Sequence, residues 1–127
     1  MRLALADAGA STSDISHVNA HGTGTTLNDL AESAALVDLF GAACPPVTAT
    51  KSTTGHMIAG SGAVEAIVTL WTLRHQLVPP VAGLQSIDPK IPLDVVSRRP
   101  RPISAGLGLS NSFGFGGSNA CLVLAAP

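Results

Sequence analysis

Twice in its first 60 residues this chain runs from a short β-branched stretch into a histidine-bearing polar loop and on into a helix. Val47-Thr48-Ala49-Thr50 leads into Lys51-Ser52-Thr53-Thr54-Gly55-His56, and an apolar helical segment follows from Met57 to Leu77. Ile15-Ser16-His17-Val18 leads likewise into Asn19-Ala20-His21-Gly22-Thr23-Gly24-Thr25, ahead of a second helix. β-Branched residues suit a pleated strand, and a helical repeat of apolar side chains marks a helix that buries one face or more. Repetition of this strand-to-helix unit restricts the fold to a layered α/β arrangement, in which parallel strand ends gather their loops along one edge of a sheet. His21, Lys51 and His56 are therefore expected to share one site.

The rest of the chain fits around these two units. Met1 to Ala8 reads as a helix end closed by Gly9, and Ser11 to Asp14 as a polar turn. After the first loop, Asn28 or Asp29 is expected to cap a helix, with Glu32 three residues beyond Asp29. Leu27, Leu30, Ala31, Ala34, Ala35 and Leu39 would form its apolar face, and Gly41 its end. From Gly62 to Leu77 apolar side chains cover most of the circumference, which predicts burial on several sides; Glu65 within that helix needs a partner. Pro79 to Pro102 holds six of the nine prolines and four of the seven cationic side chains, Lys90, Arg98, Arg99 and Arg101. This is an extended connection, its arginines a solvated face. Ser104 to Ser112 and Ala120 to Ala125 read as the strands of a hairpin whose tip runs from Phe113 to Asn119. The fold class is α/β, one domain over residues 1–127, with a mixed sheet, helices on its faces and a terminal β-hairpin.

Composition narrows the function. A formal net charge of -1 supplies no field for nucleic acid or an anionic membrane, so neither partner is expected. No apolar run reaches membrane-spanning length, and the N-terminus has no basic region followed by an apolar core, which points to a cytoplasmic protein. With 46% hydrophobic and 12% charged residues, part of the surface is expected to face a partner. Cys44 and Cys121 read as free thiols without metal spacing. Gly22 to Leu27 has Leu27 where a dinucleotide fingerprint needs its third glycine, and no phosphate-loop ending occurs. His17 and His21 are four apart on a strand and its loop instead of a helix, so a zinc site is not expected. No metal and no cofactor enter the reading.

The chemistry left to the site is charge stabilisation. An ammonium such as Lys51 beside His56 disfavours the imidazolium, and neutral imidazoles can donate hydrogen bonds to a developing oxyanion or enolate. These residues also carry a resemblance. Asn19 to Thr25, Lys51 to His56 and Asn111-Ser112-Phe113-Gly114-Phe115-Gly116-Gly117 resemble, in order and spacing, the three C-terminal signatures of the β-ketoacyl-acyl carrier protein synthases, or ketosynthases.

The resemblance implies the C-terminal half of a thiolase-like fold and a decarboxylative Claisen condensation of an acyl thioester with malonyl-acyl carrier protein, in fatty-acid or polyketide synthesis. It makes His21 and His56 the active-site histidines, Lys51 the support of His56, and Glu65 the buried partner of Lys51. Phe115 becomes the gate whose backbone N–H joins the oxyanion hole. Thr23, Thr25 and Gly116 become substrate-binding positions, the threonines toward the pantetheine arm of the carrier. The family needs no cofactor beyond the carrier's phosphopantetheine. Its nucleophile is a Cys in an N-terminal half, and neither Cys44 nor Cys121 falls in a matching motif. The first strand of the C-terminal half is also expected to lie outside this sequence. Expected partners are therefore acyl carrier protein and a Cys-bearing N-terminal half, in a homo- or hetero-oligomer, with the isolated chain inactive. The alternative is a non-catalytic partner like the chain-length factors, or a structural remnant; such partners usually lose the histidine motifs, whereas both stand here.

Overall fold

The computed structural model describes residues 1–126. Its elements in order are α1 (Arg2–Asp7), β1 (Ile15–Asn19), α2 (Thr26–Phe40), β2 (Val47–Thr48), α3 (Lys51–Thr54), α4 (Ser61–His75), β3 (Leu77–Val78), β4 (Arg101–Pro102), β5 (Leu107–Phe113) and β6 (Asn119–Leu124). Four strands form one sheet in the order β2-β1-β5-β6. β1 is parallel to both neighbours, pairing Val18 with Val47 and with Leu109, and β5 and β6 form the antiparallel hairpin. The sheet is mixed, as the sequence implies. β3 and β4 make a separate antiparallel ribbon.

Alternation along β1 sends Val18 to one face and His17 and Asn19 to the other. The first face meets α1 and α2 in a core of Leu5, Ile15, Val18, Ala20, Leu36, Phe40, Val47 and Leu109. Leu36 and Leu109 are wholly excluded from solvent, and such burial stabilises by about 2 kcal/mol per side chain. The second face carries α4, which lies close because β5 offers it a glycine: a Cβ on Gly108 would stand 2.6 Å from Thr69 Cγ2. A side chain there would lift the helix off the sheet.

Two helices bury different faces from those their apolar patterns suggest. The N-cap of α2 is Thr25, ahead of both Asn28 and Asp29, and its buried residues are Glu32, Ser33, Leu36 and Phe40, while Leu27 is 87% exposed. α4 turns Ser61, Glu65, Thr69, Thr72 and Leu73 inward and leaves Ile67 and Trp71 exposed. Its sheet-facing side is thus mostly polar, and its solvent side apolar. The 79–100 connection carries no helix or named strand; Arg98 and Arg99 are exposed, and Arg101 pairs with Asp94. Cys44 and Cys121 are free thiols. Among the described residues no helix is long and apolar enough to cross a membrane.

Candidate active site

β1 delivers His21 two residues past its end, on the side facing α4, and β2 delivers Lys51 at the start of α3. Lys51 and Glu65 form a buried ion pair, as expected for a carboxylate inside so apolar a helix. The same ammonium lies 3.1 Å from His21 Nδ1. Lys51 therefore supports His21, correcting the expectation that it serves His56. The reason is local: after α3, Gly55 turns the chain away at φ 70°, which carries His56 outward while Lys51 stays under the loop. An ammonium has donors only, so Nδ1 of His21 accepts and its ring proton sits on Nε2.

His56 reaches the same tautomer by another route. The backbone N–H of Ile58 donates to His56 Nδ1 at 3.1 Å, and the Ser61 hydroxyl lies 3.2 Å from the same nitrogen. Ile58 holds this position at φ 51°, a left-handed conformation costly for a β-branched residue. Strain of that kind persists where the surrounding chain over-determines it. Both imidazoles thus have Nδ1 tied to the scaffold and Nε2–H left over. The rings stand edge to face with centroids 5.3 Å apart, so the two sequence loops converge. They line a cleft of about 300 Å³ with Ser61, Gly62, Ser112 and Phe113.

Electrostatics favour a neutral His21. Burial, followed by the Lys51 charge and the neighbouring His56, pushes its pKa down to about 4, with Asp29 pulling the other way. Glu65 moves the other way: burial raises its carboxyl, and the hydrogen bond and charge of Lys51 oppose that rise.

The hairpin sets its two phenylalanines in different surroundings. Phe113, at the end of β5, packs against His21 with ring centroids 5.6 Å apart, whereas the Phe115 side chain is fully exposed and does not line the cleft. Gly116 sits at φ 72° on the same exposed tip. The cleft takes Phe113, Gly114 and Ser118 from the hairpin, while Phe115 and Gly116 at its turn stand exposed. Thr23 and Thr25 bond to each other at 2.9 Å between hydroxyls, and Thr23 lines a different cleft, of about 380 Å³, on the other side of the His21 loop. That loop fits tightly because Gly22, at φ 44°, has its would-be Cβ 2.6 Å from Ala49 Cβ.

One functional residue escapes sequence reasoning. Glu32, 3% exposed, accepts the N–H groups of His21 and Gly22 at 2.9 Å each and the side-chain amide of Asn111 at 3.0 Å. Its carboxylate binds the backbone of the histidine loop to α2 and β5. Burial still raises its pKa, against the lowering effect of the three donors. The signal was a charged residue on a helix position whose neighbours Ser33 and Leu36 share its face.

A small sheet edge that presents two oriented imidazole donors backed by a buried Lys–Glu pair defines a charge-stabilising site on an α/β scaffold. Residues 1–85 match the family described as beta-ketoacyl synthase, C-terminal domain, and the chain belongs to that family. It is 48% identical over 115 residues to 3-oxoacyl-[acyl-carrier-protein] synthase 2 of Mycobacterium bovis, covering 91% of this chain and 28% of that protein. Against the protein of the same name from Synechocystis it is 42% identical over 121 residues, covering 94% of this chain and 29% of the relative. Among solved structures it resembles the ishigamide ketosynthase/chain length factor, with a TM-score of 0.95, 41% identity, 99% of this chain and 31% of the other covered. A beta-ketoacyl synthase from Burkholderia phymatum gives a TM-score of 0.94 at 38% identity, with 100% and 31% covered. The fold is the C-terminal part of the thiolase-like ketosynthase fold, and the chain spans less than a third of the relatives it matches.

Proposed function

We propose that this chain forms the C-terminal part of a ketosynthase and supplies the hydrogen-bond donors for decarboxylative condensation of malonyl-acyl carrier protein with an acyl thioester. A single observation carries the reading: both His21 and His56 have Nδ1 occupied by the scaffold, which leaves two Nε2–H donors side by side on one cleft. Loss of carbon dioxide from a malonyl thioester breaks the Cα–carboxylate bond and sends its electron pair onto the thioester oxygen. Donors preorganised for that oxygen lower the barrier, typically by 10²–10³-fold in rate for each one. The enolate carbon then forms a bond to the acyl carbonyl, and the thiolate that carried the acyl group leaves. We assign that thiolate to a Cys-bearing half, since Cys44 and Cys121 are both pushed up by burial and neither lines the cleft.

The inverted polarity of α4 supports a partner. Ile67 and Trp71 are exposed by 57% and 67% on a helix whose inner face is polar, which supports the reading that further protein covers the outer stripe. Carrier docking beside the His21 loop, with Thr23 and Thr25 toward the pantetheine arm and Phe115 and Gly116 as a tip that closes on substrate, belongs to the same proposal. The second reading, a non-catalytic partner, is kept because solved neighbours include a ketosynthase in complex with its chain length factor, here at a TM-score of 0.88.

Mixing the chain with a Cys-bearing ketosynthase half tests the proposal. Ketoacyl product is expected only from the mixture, with His21→Ala and His56→Ala each lowering turnover by about 10²–10³-fold. A mixture indifferent to both substitutions favours the non-catalytic partner, and steady product from the 127-residue chain alone would overturn the reading.

A further inference from the structure

Asn19 makes more polar contacts than any residue assigned a role above, yet it touches no cleft. Its side chain is wholly buried. The Thr50 backbone N–H reaches Asn19 Oδ1 at 3.3 Å, and Asn19 Nδ2 donates to the Thr50 hydroxyl at 2.8 Å, the Glu65 carbonyl at 3.1 Å and the Thr69 hydroxyl at 3.3 Å. These partners fix the amide's orientation, since a backbone N–H needs the oxygen and a carbonyl needs the nitrogen. Thr50 is the residue before Lys51, and Glu65 carries the opposing carboxylate. Asn19 itself lies two residues before His21, on the same side of the chain. One amide therefore ties together the three backbones from which His21, Lys51 and Glu65 depart.

We infer that Asn19 is a positioning residue, holding the Lys51–Glu65 pair in register so that the ammonium meets His21 Nδ1 and keeps the ring in its Nε2–H form. This deepens the functional proposal and rests on its assignment of His21 as a donor. Distances of about 3 Å leave little slack: freed from Asn19, the N-terminus of α3 can shift against α4, and a displacement of an ångström is enough to break the Lys51–His21 contact. The substitution Asn19→Leu removes every polar contact at similar size. Thr50→Val removes only the hydroxyl partner and should fold more readily.

Nuclear magnetic resonance titration of the histidine rings in the 127-residue chain tests this. With Lys51 displaced, the proton affinity of His21 should rise by tenfold or more in both variants. His17 is the internal control, because its pKa is lowered by burial alone. A variant that loses melting temperature while His21 titrates as in the parent marks Asn19 as merely structural and overturns the inference. Should Asn19→Leu fail to fold, Thr50→Val decides: a tenfold rise supports the inference, and an unchanged titration overturns it. Turnover is not read, so a negative titration leaves the functional proposal standing, and an inactive mixture leaves a positive titration standing.

Discussion

His17 and His21 are both buried imidazoles with pKa values pushed down to about 4, for different reasons. Burial alone acts on His17, whose two ring nitrogens have no hydrogen-bond partner among the described residues, whereas Lys51 and His56 add to burial at His21. An imidazole whose folded pKa lies below its ordinary value of 6.5 binds fewer protons in the folded chain than in the unfolded one. Its contribution to stability is complete above pH 6.5 and is lost as pH falls toward 4. For His17 the loss amounts to roughly 3 kcal/mol at the acid end. Urea unfolding at a series of pH values is expected to show stability falling through that window, with His17→Phe flattening the slope. Lys51→Ala should raise the His21 midpoint and leave His17 unmoved, which the ring titration measures directly. Glu32 makes a second prediction at this scale. Replacing it by Leu strands the N–H groups of His21 and Gly22 without acceptors, so unfolding free energy should drop by roughly 2–4 kcal/mol, read by urea denaturation.

At the level of elements, α2 and α4 show where the sequence is legible and where it is not. Strand and loop positions around His21 and His56 were visible because β-branched runs and glycines act locally. The burial side of each helix was not, because an apolar pattern shows which residues avoid water and not which neighbour covers them. On α2, the sequence pattern sets Leu27 and Ala31 on the apolar face, yet Glu32 and Ser33 hold the inner one because the backbone N–H groups of the His21 loop satisfy the carboxylate. On α4, a carboxylate such as Glu65 within an apolar helix demands a partner, and Lys51 provides it; the outward aim of Ile67 and Trp71 does not follow from spacing. Phe115 and Phe113 are two residues apart in one hairpin, the second on β5 and the first in the turn, and only three-dimensional placement says that Phe113 meets His21. The α4 stripe yields a prediction. The isolated chain should self-associate through it, and Ile67→Lys with Trp71→Lys should shift sedimentation toward monomer while weakening capture of the Cys-bearing half.

For the whole molecule, the strand order sets how the fold is reached. β1 lies between β2 and β5, and Ser16 reaches the Leu107 carbonyl across 91 positions of sequence. Closing so long a loop costs entropy before any contact rewards it, and domains built on such pairings refold slowly. β1 gains its second neighbour only after the residues of β5 are available, so His21 and Phe113 meet late. Hydrogen exchange during refolding should show the β1 amides protected together with those of β5, and a chain ended before Leu107 should leave them open. During synthesis the ribosome would release the 15–19 strand long before its partner emerges, and in that interval the half-built sheet is a substrate for chaperones and for misassembly.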